Sequence, residues 1–204
     1  MRGDKTRHAI LARAVQIAST EGLEGLSLGQ LAADLGMSKS GLFAHFGSKE
    51  ELQLKTLRAA RRIFYDAAVQ PALDRPEGIE RLWALVRADL DYLAGDVFDG
   101  GCLFLSSSAE YDSRPGPIRD LVAETMASWL AVLTEQAQVA RDLGQLTADT
   151  DPRGLAWELH AFGLALNWDR QLNRSADARE RAQTASRTRL LAAATAKGRR
   201  ALPD

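Results

Sequence analysis

The side chains of this 204-residue chain that could make or break bonds are few and poorly arranged for it. Ser106, Ser107 and Ser108 lack the G-x-S-x-G turn that exposes a nucleophilic serine, and no glycine-rich loop follows a strand-like run. His8, His45 and His160 are not spaced with Cys102 to ligate a metal. Glu110 and Asp112, near Arg114, resemble an acid pair, but a charged helix end before Pro115 accounts for them. Neither catalysis nor a metal or cofactor is expected. A second group of residues suits non-covalent chemistry instead. Lys39 can donate to guanine O6 or N7, Ser38 and Ser40 can donate or accept, and Ala44 can touch a thymine methyl, while Gly41 lets the backbone come close. Such groups read base edges only when a narrow, rigid element carries them and its flanks grip phosphates.

The sequence around them supplies that element. Residues 26–52 read LSLGQLAADLGMSKSGLFAHFGSKEEL. Ser27 with Gln30 fits a capping box, which predicts a short helix running through Leu31, Ala32 and Leu35. Gly36 stops it, because glycine accepts positive φ without a Cβ penalty. Ser38 then caps a second short helix that turns Leu42, Phe43 and Phe46 inward. Ser48 with Glu51 opens a third, longer helix. Two short helices joined by so tight a turn cross steeply, and the arrangement is a helix-turn-helix built to enter a DNA groove. The other reading of the segment is a small helical subdomain that packs on a protein.

The run from Gly36 through Leu52 resembles the DNA-binding domain of TetR-family transcriptional regulators, in which a GxSxxxLxxxFxSKEEL-like pattern spans the recognition helix and the start of the next. The resemblance extends back through an amphipathic first helix with Ile10, Leu11, Ala14, Val15, Ile17 and Ala18 on one face, and covers about the first quarter of the chain. It implies that Ser27 and Lys49 grip the DNA backbone, and that His45 meets a phosphate or a base edge. Phe43 stands where the family usually has tyrosine. It has no hydroxyl to offer a phosphate, so packing and van der Waals contact are expected of it.

Charge follows the same division. Residues 1–62 hold ten Lys and Arg against six Asp and Glu, and residues 63–204 hold sixteen against twenty-one. A net of +4 on an otherwise acidic chain orients the first part on a polyanion. The 46% hydrophobic and 26% charged content is that of an ordinary globular protein. One cysteine excludes an intramolecular disulfide framework, and with no secretory-type leader the expected compartment is the cytoplasm. The most apolar run, residues 155–168, is interrupted by Glu158, His160 and Asn167 and is shorter than the roughly 20 residues of a bilayer span.

Hydrophobic spacing predicts an all-α chain of about nine helices, at 5–22, 28–35, 39–45, 49–72, 77–94, 102–111, 117–143, 153–172 and 176–196, with no alternating strand. The expected organisation is a three-helix DNA-binding domain at 1–48 and a helical effector-binding and dimerisation domain at 49–204, connected by helix 49–72. One recognition helix covers only a few base pairs, so a homodimer on an inverted repeat is expected. The family places the dimer interface in the last two helices, where Leu155, Leu159, Phe162, Leu166, Ala182 and Ala185 are the candidates. It also places an effector in the middle helices, where Trp83, Phe98, Cys102, Phe104, Met126, Trp129, Trp157 and His160 could line a pocket for a small apolar or aromatic molecule. The resemblance thus implies a ligand-released repressor. The alternatives are a helical enzyme, a DNA binder that senses nothing, and an oxidant sensor acting through Cys102 should a nearby cation lower its thiol pKa.

Overall fold

The computed structural model describes residues 2–95 and 97–203, with backbone alone for residues 2–5. Among them all regular structure is helical except one antiparallel bridge between Leu146 and Ala194. The helices are α1 (Arg2–Glu21), α2 (Leu28–Asp34), α3 (Lys39–Phe46), α4 (Lys49–Phe64), α5 (Ile79–Ala94), α6 (Leu103–Tyr111), α7 (Pro117–Asp142), α8 (Pro152–Asn173), α9 (Ala178–Ala193) and α10 (Ala196–Ala201). No described helix is long and apolar enough to cross a membrane.

The expected helix ends, placed to within about three residues, agree with those observed except at the end of the fourth helix, and a short tenth helix follows the ninth; each difference has a local reason. The helix expected over 49–72 is α-helical only to Phe64; it loosens into a π turn over Tyr65–Val69 and tightens into a 3-10 turn over Gln70–Ala72. Pro71 lacks the N–H that an α-helix needs there. The last helix was expected to run to 196 as the ninth. It stops at Ala193, where the chain turns to pair with Leu146 and Thr195 N donates to Gln145 O at 3.0 Å. The Thr195 hydroxyl then accepts from Gly198 N and caps a tenth, six-residue helix.

Packing groups the chain into two units: residues 1–63 with 96–125, and residues 64–95 with 126–204. In the first, Ile10, Ala14, Val15, Ile17 and Ala18 of α1 are buried, together with Leu31 and Ala32 of α2, Leu42 and Phe46 of α3, and Leu52 and Leu57 of α4. Each such leucine contributes roughly 1.5–3 kcal/mol by leaving water, enough to hold helices too short to persist alone. Arg13 of α1 donates to both carboxylate oxygens of Asp34, which fixes the end of α2. Gly36, at φ +62°, makes the turn into α3.

In the second unit α5 packs on α8 and α9. The free amides at the start of α5 are satisfied by glutamine side chains: Gly78 N donates to Gln136 and Ile79 N to Gln145, at 3.2 and 2.9 Å. Asp151 caps α8 by accepting from Arg153 N and Gly154 N, with Pro152 at the first helical position.

Candidate nucleic-acid interface

The eight residues of α3 begin at Ser38, whose hydroxyl oxygen accepts from Gly41 N at 3.1 Å and lies 3.3 Å from that of Ser40. Leu42 and Phe46 point into the core, and this orientation turns the other face outward. Lys39, Ser40, Phe43 and Ala44 are all exposed, with Gly41 and His45 half-buried at the margins. Phe43 is 52% exposed, a large apolar ring held in solvent by a short, capped helix. It was expected to pack inward alongside Leu42 and Phe46, and it does not. Arg7 of α1, which the sequence alone did not single out, donates to the His45 carbonyl at 3.5 Å and so sits at the end of α3.

The residues expected to grip phosphates, and Ser48, expected only as a cap, fare unequally. The Ser27 hydroxyl accepts from Gln30 N at 3.2 Å, and that of Ser48 accepts from Glu51 N at 3.1 Å. Both hydroxyls keep an O–H to donate. Neither capping box closes, because the Gln30 side chain donates to Glu21 and the Glu51 carboxylate pairs with Lys55 at 3.5 Å. Lys49 is committed to the protein. Its ammonium donates to the Glu24 carbonyl and carboxylate at 2.6 and 2.7 Å, tying α4 to the α1–α2 connection.

That connection is also held by α6. Glu110 accepts from Leu23 N and Glu24 N at 2.9 and 2.8 Å, one carboxylate oxygen for each amide. The Tyr111 hydroxyl donates to Glu24 at 2.9 Å, and buried Gln53 donates to the Leu23 carbonyl at 2.8 Å. Bonds from Lys49 and Tyr111 hold the Glu24 carboxyl below its usual range, while burial, with Glu24 alongside, raises the Tyr111 phenol. Glu110 had been read as part of a charged helix end. A contact between positions more than eighty residues apart has no periodic signal in a single sequence.

Residues 10–55 match the pattern of "Bacterial regulatory proteins, tetR family", and residues 78–186 match "Tetracyclin repressor-like, C-terminal domain". The chain belongs to the TetR family. It is therefore a helix-turn-helix transcriptional regulator. The transcriptional repressor NemR of Escherichia coli K12 is 24% identical over 179 residues, spanning 87% of this chain and 89% of NemR. The fold is shared with a TetR regulator from Chloroflexus aurantiacus, at TM-score 0.84 and 22% identity over 95% of this chain and 98% of that one. It is also shared with AibR, solved with isovaleryl coenzyme A and operator DNA, at TM-score 0.68 and 22% identity over 86% and 92% of the two chains.

The residues that the TetR resemblance implied for effector binding are divided between the packing units. Phe98, Cys102 and Phe104 belong to the first, with both phenylalanines buried and Cys102 half-buried just ahead of α6. Trp83, Met126, Trp129, Trp157 and His160 belong to the second. Trp129 and Trp83 are buried, and their indole N–H groups have no partner among the described residues. The same holds for Nδ1 of His160. Trp157 instead stands 65% exposed beside a surface groove lined by Leu130, Thr134 and Arg153.

The implied dimer residues divide by helix face. Leu155, Leu159 and Leu166 are buried within this chain's own packing, as is Ala182. Phe162 and Ala185 are half-buried and line a shallow groove between α8 and α9. The outward face of α8 carries Trp157, Leu164, Trp168 and Leu172, which were not among the dimer candidates. A run of apolar residues nearly all round a helix does not tell which side its own core takes.

Proposed function

We propose that this regulator binds an inverted-repeat operator as a homodimer and releases it when a small molecule occupies the second packing unit. The observation that carries the reading is the outward face of α3, where Lys39, Ser40, Phe43 and Ala44 are exposed over the buried pair Leu42 and Phe46. Lys39, Ser38 and Ser40 read base edges; Ala44 and Phe43 supply apolar contact, for which a thymine methyl is the natural counterpart. Ser27, Arg7 and His45 serve the phosphates. Lys49 reaches a phosphate only by leaving Glu24. This is binding chemistry without a catalytic step, exercised in the cytoplasm where the DNA lies.

The dimer is met through the exposed α8 stripe. Trp157, Leu164, Trp168 and Leu172 are spaced by seven, four and four residues, one face of a helix, and Leu172 is 67% exposed. So large an apolar surface on a helix is suited to a second copy of the same helix about a two-fold axis. Leu155, Leu159 and Leu166 support that surface from behind.

Gel-shift titration on duplexes from the protein's own promoter region, alongside a mass measurement in solution, tests both parts. The expected result is one shifted species containing two chains, weakened steeply by salt. A monomer at micromolar concentration, or equal affinity for operator and scrambled duplex, would overturn the reading.

A further inference from the structure

We propose that the effector is an organic ammonium compound, its cation paired with Asp89 of α5 and its apolar body set against the rings of Phe64, Tyr92 and Trp129. The inference rests on the reading that the second packing unit binds an effector, and it names that effector's chemical class.

Asp89 is 8% exposed and has no hydrogen-bond or ion-pair partner among the described residues. A carboxylate so placed is unfavourable unless something compensates its charge. The basic residues that reach α5 from α8 and α9 are engaged elsewhere: Arg170 with the carbonyls of Leu93 and Gly95, and Arg179 with Asp91. Burial pushes the Asp89 carboxyl up to about 7, as expected of a carboxylate with no cation beside it.

The opposing helix makes room for this group. Gly163 lies in the middle of α8, in ordinary helical conformation, where glycine is less favourable than alanine. A Cβ there would stand 3.1 Å from Asp89 Oδ2 and 3.2 Å from the Leu93 side chain. The glycine is thus explained by space at the carboxylate and not by backbone geometry. His160 lies one turn before Gly163 on the same helix face, and burial keeps its imidazole from taking a proton, so it does not supply the missing cation.

One turn along α5 from Asp89 is Tyr92, the edge of an aromatic group. The Phe64 ring meets both Tyr92 and Trp129 edge-on, with centroids 5.1 Å apart in each pair. An aromatic group one helical turn from a buried, unpaired carboxylate favours a cation with hydrocarbon substituents. An anion would be repelled by Asp89, and a neutral hydrocarbon would leave it unpaired. The unpartnered Trp129 indole N–H and His160 Nδ1 offer one donor and one further polar atom to the rest of the molecule.

Three probes of nearly one shape separate the possibilities: benzyltrimethylammonium, its neutral isostere neopentylbenzene, and the anion phenylacetate. Each is titrated into the full-length protein by tryptophan fluorescence, then added to the operator complex. The ammonium should bind about tenfold or more tightly than the isostere, and Asp89→Asn should remove that preference without changing ligand-free operator binding. Gly163→Ala, which keeps the charge but crowds the carboxylate, should weaken the ammonium as well. Preference for phenylacetate or neopentylbenzene with release of DNA overturns the cation inference and leaves the effector reading standing. Equal affinity of the ammonium for wild type and Asp89→Asn overturns the inference too. Binding of none of the three up to millimolar concentration, with operator binding intact, counts against both.

Discussion

Helices α3 and α8 are built on one plan and end with opposite surfaces. Each buries an apolar face in its own packing unit, Leu42 and Phe46 in one, Leu155, Leu159 and Leu166 in the other. Turned outward, α3 offers an ammonium, hydroxyls and a single ring over two turns, whereas α8 offers two indoles and two leucines over four. The inner faces make both helices possible. The outer faces decide what each can meet, a hydrated polyanion with edges to be read or an apolar surface of matching shape.

The largest effects should come from the inner faces, and they should be alike. Leu42→Ala and Leu159→Ala each remove a fully packed side chain and are expected to cost about 2–5 kcal/mol in urea unfolding. If only one of them destabilises, the shared plan is wrong. Next comes a buried charge that belongs to neither face. Asp89 ionises near 3.8 when unfolded and near 7 when folded, so its full stability is present below the lower value and is lost as pH rises through the higher. Unfolding free energy should fall by up to about 4 kcal/mol across that window, and Asp89→Asn should flatten the profile.

The outer faces then separate. Trp168→Glu should raise the dimer dissociation constant by about 30-fold or more, seen by sedimentation, with the monomer still folded. Lys39→Ala should leave the dimer intact and lower affinity for operator by about 1–3 kcal/mol, with a smaller loss on scrambled duplex. The smallest effect is that of Lys49→Met. Its exchange removes a solvent-exposed ion pair with Glu24 and should change stability by under about 1 kcal/mol. An operator-affinity loss as large as that of Lys39→Ala would mean that Lys49 leaves Glu24 to reach the phosphate.

The helix-turn-helix was legible because every one of its determinants is local. Ser38 caps where a capping serine should, Gly36 takes positive φ where the turn needs it, and Leu42 is buried at the spacing that predicts it. Even there, Lys49 could not be placed, since its partner Glu24 lies on another element. For α8 the period fixed a helix but not its rotation about its axis, because apolar residues surround it and only the helices packed against it choose a side. Asp89 was passed over entirely. A single aspartate among apolar residues reads as one of the charged positions of an amphipathic helix until Gly163 is seen opposite.

Glu110 holds two consecutive amides of the α1–α2 connection, and Tyr111 and Gln53 secure the same turn. Residues 1–48 are for this reason not a cassette. Grafted onto the body of another regulator, they would carry the recognition surface but lose the carboxylate that caps Leu23 and Glu24, and the host's sixth helix would have to supply one. The packing unit that holds α3 is discontinuous, residues 1–63 together with 96–125, so an exchange that moves both pieces keeps the Glu110 contacts intact.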